Sequence, residues 1–384
     1  MSSALPERAD VVVVGGGVIG TSVAFHLAEA GVGVCLLERD ELASGSTSRA
    51  AGGFRAQFSD PLNIAIGLRS IEAFARFGER PGWEIDLRQV GYLFLLDRDE
   101  DVAAFEESVA LQNELGVPSR FVTLEEVRAL CPLAGLEGVL AATFGPLDGH
   151  ASPEAVVHGY AAGARAHGAT VLTRSAVTGI DLEGDEIRRV RTAHGTVETG
   201  TVVCAAGVWS SELARMVGVE LPVEPVLREV GFTAPDESLP DRIPLTIDFS
   251  TGFYFHREGP GLLFGMADRD QPPGFDAPSD VAWLEKVLEV AERRLPSLAD
   301  MGIAGGWKGY YEVTPDHNAL VGEAPGISRF LYATGFSGHG FLQGPAVGEI
   351  VRDLVLGREP FVDVSPLSAD RFARHEPRPE RNVI

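Results

Sequence analysis

The amino-acid sequence predicts an α/β protein with some α+β character, in which one domain is built on a parallel sheet and a second on a mixed or antiparallel sheet. Short β-branched strands followed by helices occur at the start, middle and end of the chain, and strands that suit hairpins lie between them. Parallel strands need crossover helices, which accounts for the first pattern. We therefore expect discontinuous domains, with residues 1–80, 146–220 and 322–384 in the first and residues 81–145 and 221–321 in the second.

The composition is that of a folded protein with a strongly acidic surface. Of 384 residues, 45% are hydrophobic and 23% are charged, close to the globular average. The formal net charge is −23, from 32 basic and 55 acidic side chains. Such a surface repels phosphate backbones and anionic lipid, so we expect no nucleic-acid partner. A buried Arg can still bind an anionic substrate.

The cysteines, the N-terminus and the apolar runs indicate the cellular compartment in which the protein works. Cys35, Cys131 and Cys204 are too few and too scattered for a disulfide framework or a zinc site, so we expect no metal. The N-terminus lacks the layout of a signal peptide, and no apolar run approaches the ~18–20 residues of a membrane helix. We expect a cytoplasmic protein with no membrane span.

The first forty residues predict one βαβ unit that binds a dinucleotide. VVVV (11–14) is typical of a buried strand, a helical stretch follows, and VGVCLLE (32–38) forms the second strand. Between them, Gly15, Gly17 and Gly20 form G-x-G-x-x-G, which allows a tight turn, a close pyrophosphate and close helix packing. Glu38 ends the second strand, where it suits a ribose. The domain is therefore Rossmann-like, and the motif leaves both FAD and NAD open.

Capping residues predict where later helices begin. Asp60 precedes Pro61 at the start of an apolar helical pattern. Thr123 and Glu126 have the spacing of a capping box. Ser152 opens a third helix, and Ser279 a fourth.

Three later regions predict strands. Residues 90–96 form one strand, and residues 252–267 form a hairpin that turns within 257–261. The segments 170–180, 186–192 and 201–207 are expected to form a small meander.

The loop ELASGSTSRAAGGFRAQF (41–58) favours FAD over NAD. A plain NAD domain continues at this point into another crossover helix, whereas this loop is rich in Gly, Ser and Thr and carries two arginines. It suits a second phosphate and a flavin ring. Phe54 and Phe58 argue against a free surface loop.

These residues carry a resemblance to a known family. GGGVIG with Glu38, GSTSRAAGGFR, VVCAAGVWS, YYEVTPDHNALVG and GFSGHGFLQGPAVGEIV resemble the flavoprotein amine oxidases, the group of D-amino-acid, sarcosine and glycine oxidases. Within this group, the chain most resembles the β subunits of L-proline dehydrogenase and heterotetrameric sarcosine oxidase. GYLFLLDRDEDV, QNELGVPSRFVTLEEV and YYEVTPD resemble the proline dehydrogenase type in particular. The resemblance runs in order along nearly the whole chain. It implies the D-amino-acid oxidase fold.

The resemblance implies a cofactor site for FAD. The residues implied are Gly15, Gly17, Val18, Ile19, Gly20, Glu38, Arg39, Gly45, Ser46, Thr47, Arg49, Ala50, Gly52, Gly53, Val177, Ala206, Gly207, Trp209, Gly309, Gly335, Ser337, Gly338, His339, Gly340, Phe341 and Leu342. Residues 335–342 lead into a helix whose N-terminus would stabilise negative charge on reduced flavin. His339 also fits an ordinary solvent-facing loop residue. Relatives that bind flavin covalently use a Cys or a His where this chain has Gly309 and Arg49, so we expect non-covalent FAD.

The resemblance also implies substrate residues. Arg55 is expected to bind the substrate carboxylate, since a guanidinium can pair with it through two hydrogen bonds; a structural ion pair is the alternative. Tyr311 would pack over the substrate. Tyr254 and His256 lie on a substrate-domain strand, where core packing is equally consistent.

The implied activity is FAD-dependent oxidation of a small secondary-amine amino acid to the imine, with L-proline first and sarcosine-like N-methyl amino acids second. A D-amino-acid or glycine oxidase activity and a NAD(P)-dependent dehydrogenase are alternatives. The strand GLLFGMA lacks the Lys that promotes oxygen reaction in related oxidases, although Lys308 could partly replace it. A dehydrogenase is therefore favoured, and a further alternative is an FAD-carrying subunit that passes electrons to partner subunits or a protein acceptor.

Overall fold

The computed structural model describes residues 4–268, 270–275 and 281–382. Its strands are β1 (Val11–Val14), β2 (Val34–Leu37), β3 (Gly53–Phe54), β4 (Tyr92–Leu96), β5 (Arg120–Val122), β6 (Ala141–Gly145), β7 (Gly149–His150), β8 (Thr170–Leu172), β9 (Val177–Glu183), β10 (Glu186–Thr192), β11 (Gly195–Glu198), β12 (Val202–Cys204), β13 (Glu224–Thr233), β14 (Leu245–Asp248), β15 (Phe253–Glu258), β16 (Gly261–Gly265), β17 (Ile303–Val313), β18 (Leu320–Glu323) and β19 (Phe330–Thr334). Its helices are α1 (Val18–Glu29), α2 (Pro61–Ala75), α3 (Asp99–Glu114), α4 (Leu124–Leu130), α5 (Pro153–Ala166), α6 (Ser210–Arg215), α7 (Val281–Arg294), α8 (Gly340–Val355) and α9 (Asp370–Ala373).

Two large sheets organise the fold. A six-stranded sheet has the order β18-β19-β12-β1-β2-β8, parallel except for the edge strand β18. A mixed eight-stranded sheet has the order β17-β13-β16-β15-β14-β4-β6-β5. The predicted α/β class with a second, mixed sheet is therefore confirmed. The exact domain boundaries stay a prediction, and β18 begins at Leu320, two residues before the predicted boundary at 322.

The VVVV strand lies at the centre of a three-layer arrangement. Val11 and Val13 pack on one face, in a cluster with apolar residues of α1, α5 and α8. Val12 and Val14 pack on the other face, in a cluster that includes residues of β10 and α6. Because successive side chains of a strand point to opposite faces, a run of four valines suits a strand covered on both sides.

The capping residues act as predicted. Asp60 accepts hydrogen bonds from the backbone N–H groups of Leu62 and Asn63 at the start of α2. Thr123 and Glu126 form a complete capping box on α4. Ser152 accepts from the Ala155 N–H on α5. The fourth predicted start, Ser279, lies outside the described residues.

Of the two predicted antiparallel regions, the hairpin is confirmed and the meander is only partly correct. The hairpin of β15 and β16 forms as expected, with Glu258 opposite Gly261. The meander consists instead of β9, β10 and β11. The ends of the predicted region, β8 and β12, join the parallel sheet. β12 is buried on every residue, as a central strand requires, and its neighbours β1 and β19 are far away in sequence.

No helix within the described ranges is both long enough and apolar enough to cross a bilayer.

Candidate functional site

A cavity of about 300 Å³ lies at the carboxyl ends of β1, β2 and β12. The loop 43–50, parts of β13 and β17, and the amino end of α8 complete its wall. In open α/β sheets, ligands bind at the carboxyl edge where the strand order reverses. The boundary between β1 and β12 is such a position, because the chain runs from β1 to β2 on one side and reaches β12 on the other.

Most of the residues predicted to hold a cofactor line this cavity. They are Gly15, Gly17, Val18, Ile19, Glu38, Arg39, Gly45, Ser46, Thr47, Arg49, Ala50, Val177, Ala206, Gly207, Trp209, Gly309, Gly338, Gly340 and Phe341. The remaining predicted residues do not line the cavity: Gly20, Gly52, Gly53, Gly335, Ser337, His339 and Leu342. The glycines in this second group make close packing possible: a Cβ on Gly52 would lie 2.3 Å from the Ala151 carbonyl oxygen.

The glycine-rich turn is closed by contacts that exclude larger residues. Gly15 has a φ of +119°, and a Cβ there would lie 2.2 Å from the Ala205 carbonyl oxygen. A Cβ on Gly20 would lie 1.9 Å from the Gly15 carbonyl oxygen, so α1 packs directly on the turn. The Glu38 carboxylate accepts from the Gly16 N–H at 2.6 Å and from the Asp40 N–H at 2.8 Å. Glu38 therefore ties the ends of both strands together.

The loop that follows β2 is held against β17. The Ser46 hydroxyl donates to the Tyr310 carbonyl at 2.6 Å, and the Trp307 indole donates to the Arg49 carbonyl at 3.0 Å. The Arg49 guanidinium donates to the Gly45 carbonyl at 2.8 Å and also to that of Ser44. These bonds fix the Arg49 side chain across the loop. Arg39 lies over the Trp209 ring, 4.2 Å from its centroid.

A half-buried carboxyl group lies at the amino end of α8. Glu312 lines the cavity and accepts from the Thr334 hydroxyl at 2.8 Å. Burial raises the pKa of Glu312 to about 7. A Cβ on Gly340 would lie 3.6 Å from its carboxylate. The partial positive charge of the helix N-terminus favours the ionised form.

Arg228 and two tyrosines form a second cluster on the eight-stranded sheet. Arg228 and Tyr311 line the cavity, and the guanidinium carbon lies 5.2 Å from the Tyr311 ring centroid. One Arg228 nitrogen donates to the Leu227 carbonyl at 3.0 Å, but its buried Nε has no acceptor. Among the described residues, no carboxylate forms an ion pair with it. Burial lowers the pKa of Arg228 and raises those of Tyr254 and Tyr311.

Arg55 lies behind the cavity, beneath the C-terminal segment. It is 2% exposed, and its guanidinium donates to the Asn382 carbonyl at 2.5 Å and to the Gln57 carbonyl. Its guanidinium carbon lies 4.1 Å from the centroid of the Phe58 ring. A nitrogen of His339 lies 3.4 Å away. Arg55 is thus bonded to backbone carbonyls and not to a carboxylate.

Two further predicted residues lie away from the cavity. The Lys308 amino group is 3.6 Å from the Glu229 carboxylate and is substantially exposed. Its neighbour Gly309 lines the cavity, but Lys308 itself does not. His256 is fully buried on β15, and its ring centroid lies 4.5 Å from that of His150.

The structure adds cavity residues that the sequence analysis missed. They are Val14, Gly16, Leu37, Asp40, Ala43, Ser44, Ala176, Ala205, Glu212, Leu213, Met216, Arg228, Tyr310, Glu312 and Ala333. Strand alternation puts Arg228 on the same face of β13 as Val226 and Val230. A cation between two apolar residues on one strand face is unusual, and it could have marked Arg228 as a candidate site residue. Glu312 stands inside the YYEVTPD motif and was equally visible.

Comparison with known proteins identifies the family. The model of the DAO family, described as FAD-dependent oxidoreductase, matches residues 10–354. The chain belongs to this family. The FAD-dependent oxidoreductase fold predicted from the sequence is therefore confirmed.

Two relatives and one solved structure align with nearly the whole chain. Mitochondrial dimethylglycine dehydrogenase from Mus musculus is 31% identical over 96% of this chain and 44% of its own length. FAD-dependent oxidoreductase domain-containing protein 1 from Xenopus laevis is 32% identical over 99% of this chain and 85% of its own length. The crystal structure of L-proline dehydrogenase from P. horikoshii is 34% identical, with a TM-score of 0.93 over 97% of this chain and 100% of that one. The chain thus spans under half the length of the dimethylglycine dehydrogenase.

The cavity fits FAD, the cofactor of this family. The Gly15 turn and the α8 terminus bring backbone N–H groups and helix N-termini to one wall, which suits phosphate groups and a negatively charged reduced flavin. A Cβ on Gly338 would lie 2.4 Å from the Tyr311 ring. The glycine there lets the loop before α8 approach β17 closely enough to close the cavity.

Proposed function

We propose that this chain oxidises a small secondary-amine amino acid to its imine, with L-proline as the first candidate and sarcosine-like N-methyl amino acids second. The observation that carries the proposal is Arg228, a cation without an ion-pair partner among the described residues, beside Tyr311 on the cavity wall. The full-length likeness to an L-proline dehydrogenase supports the first candidate. The dimethylglycine dehydrogenase relative supports the second.

Arg228 is the residue that we propose binds the substrate carboxylate. The family resemblance implies this role for Arg55, but Arg55 is bonded to two backbone carbonyls and does not line the cavity. Arg228 has a buried Nε–H without an acceptor, and a carboxylate would satisfy it. We propose that Arg55 instead holds residues 378–382 against the loop after β3.

The two tyrosines orient the rest of the substrate. Tyr254 reaches across β16, since a Cβ on Gly265 would lie 2.4 Å from its hydroxyl oxygen. Because burial raises the pKa of both tyrosines, they are neutral hydrogen-bond donors at pH 7. Their rings also exclude water from one side of a small aliphatic amine.

The positions of these residues indicate which part of the reaction each group would carry out. When bound, FAD would supply the two-electron acceptor that oxidation of the carbon next to the amine requires. Arg228 holds the carboxylate, so the position of that carbon relative to the wall is set by a two-point contact. We assign no side chain as a general base, because an amine that enters in its neutral form needs none.

FAD is proposed to be bound without a covalent link. The Arg49 side chain is engaged with two backbone carbonyls and offers no nucleophile. At Gly309, a Cβ would lie 2.8 Å from the Arg49 Cβ, so this position has no room for a cysteine.

The electron acceptor is proposed to be something other than oxygen. Lys308 pairs with Glu229 and does not line the cavity, and β16 contains no lysine, so no lysine of these two strands lies on the cavity wall. Electrons would then pass to a protein acceptor or a partner subunit. A glycine or D-amino-acid oxidase activity is the competing assignment. The cytoplasm stays the predicted compartment.

The visible spectrum of the purified protein tests the function. We expect a yellow flavin band that bleaches on anaerobic addition of L-proline and returns slowly when air is admitted. A band that proline leaves unchanged but sarcosine bleaches would move the assignment to N-methyl amino acids. Bleaching by glycine or a D-amino acid, with rapid recovery in air, would support an oxidase.

A pair of arginine variants tests the carboxylate anchor. We expect Arg228→Met to raise KM for the amino acid by ~10–100-fold, because the substrate carboxylate loses a charged hydrogen bond. The amount of bound FAD should stay at the wild-type level. Arg228→Lys, which keeps the charge but not the two-point geometry, should give an intermediate KM. If Arg55→Met raises KM and Arg228→Met does not, the anchor is Arg55.

A further inference from the structure

A cluster of two histidines and a glutamate lies outside the cavity, where the two-stranded sheet of β3 and β7 meets β15. We propose that His150, His256 and Glu258 bind one divalent transition-metal ion, with Zn²⁺ as the best fit. One ligand atom from each residue lies within 4.8 Å of the other two. His256 and Glu258 are two residues apart on β15 and so lie on the same face of the strand.

His256 is prepared to act as a ligand. It is fully buried, and its Nδ1 lies 2.8 Å from the Arg257 carbonyl oxygen. A carbonyl accepts only from an N–H, so the proton is on Nδ1 and the Nε2 lone pair is free. The Ala51 backbone lies near the ring, yet Nε2 is buried with no partner in hydrogen-bond geometry. A histidine that binds a metal through one ring nitrogen usually donates the N–H of its other ring nitrogen to a carbonyl or carboxylate, which fixes the orientation of the ring.

The other two ligands complete a suitable donor set. His150 is 9% exposed, and its ring is inclined by 40° to that of His256. Glu258 is exposed, so its side chain can move to close the site and an ion can enter from solvent. Two imidazoles and one carboxylate are a zinc donor set that leaves a fourth position for water.

Charged groups of both signs lie near the site, because Arg88 is bridged to His150 through the backbone. Asp86 lies close enough to Glu258 for the two negative charges to repel each other. Arg88, a neighbouring cation, is paired with Asp86 at 3.0 Å. A bound divalent ion would relieve the repulsion between the two carboxylates.

The site would join two parts of the fold. His150 on β7 is paired with Gly53 on β3, two residues before Arg55, whereas His256 belongs to the eight-stranded sheet. A metal ion between them would fix the loop after β3 to that sheet. The proposal does not depend on the substrate of the enzyme.

Metal content and thermal unfolding of the full-length protein test the site. After treatment with a chelator, we expect the protein to take up one equivalent of Zn²⁺ and its Tm to rise by ~2–4 °C. Co²⁺ should give the visible absorption of a tetrahedral complex. Glu258→Gln, at an exposed position, and His150→Asn should each lower the Zn²⁺ affinity at least about tenfold.

Two matched variants serve as controls. His158→Asn and Glu237→Gln change exposed residues of the same types elsewhere on the surface, and they should bind Zn²⁺ like the wild type. The proposal is wrong if the wild type binds no Zn²⁺ at micromolar concentration. It is equally wrong if Glu258→Gln and His150→Asn bind as tightly as the controls.

Discussion

The buried carboxyl group of Asp148 makes stability depend on pH. Asp148 is 0% exposed and lies between β6 and β7. It accepts from the Ala56 N–H at 3.0 Å and from the Gln57 side-chain amide at 2.8 Å. Burial outweighs these bonds and raises its pKa from 3.8 to about 7. The folded state therefore favours the protonated carboxyl.

The sign and size of the effect follow from linkage. A folded-state pKa above the unfolded value gives stability that is complete below about pH 4 and is lost as pH rises through about 7. The difference between 3.8 and about 7 corresponds to ~4 kcal/mol at most. Relaxation of the site reduces this, so we expect a loss of ~2–4 kcal/mol.

Asp148→Asn removes the titration and keeps the shape. The Asn oxygen can still accept from Ala56, and the Gln57 amide can turn to accept from the new NH₂ group. Relative to the wild type, the variant should gain ~2–4 kcal/mol in free energy of unfolding between about pH 5 and pH 8. Urea unfolding of the cofactor-free protein at several pH values measures this difference. Asp300→Asn, at an exposed position, is the control.

A constant difference between Asp148→Asn and the wild type across this pH range would refute the argument. It would show that Asp148 is ionised in the fold at no cost. A difference that falls as pH rises would show that Arg55 stabilises the charged form more than burial destabilises it.

The remaining predictions concern the cofactor and a helix end. Gly20→Ala should yield protein with little bound FAD, measured by the ratio of flavin to protein absorbance, because its Cβ would lie 1.9 Å from the Gly15 carbonyl oxygen. Gly200→Ala, where a Cβ meets nothing within 4 Å, should keep its FAD. Denaturation should release all the flavin into solution, and colour that stays with the precipitated protein would contradict non-covalent binding. Thr123→Ala should lower the free energy of unfolding by ~1 kcal/mol in urea titrations, since it removes the capping box of α4; an unchanged midpoint would mean that α4 frays without cost.

Features that depend on neighbouring residues in the sequence were predictable. The caps at Asp60, Thr123 and Ser152 are bonds between residues two or three apart, so residue type and spacing suffice. The same holds for the G-x-G-x-x-G turn, whose backbone conformation only glycine tolerates at Gly15. The resemblance then placed most cavity residues, because it runs in order along the chain.

Features that depend on distant pairing were not predictable in this way. The segment around Val203 was assigned to a meander because an apolar run beside turn residues looks the same in either sheet. Its place between β1 and β19 is decided by partners about 190 and 130 residues away. The hydrogen-bond partners of Arg55 were not predictable for a similar reason, since Asn382, whose carbonyl accepts from it, is 327 residues away.

By itself, the sequence determined the family, the FAD cofactor and the local form of the glycine-rich turn, because each motif that carries them consists of residues close together in the chain. Only the tertiary structure decided that Arg228 joins the cavity wall, that Glu312 lies at the amino end of α8, and that His150 meets His256. Each of these is a contact between different strands or loops. The burial that sets their charge and reactivity exists only once the sheets have packed together.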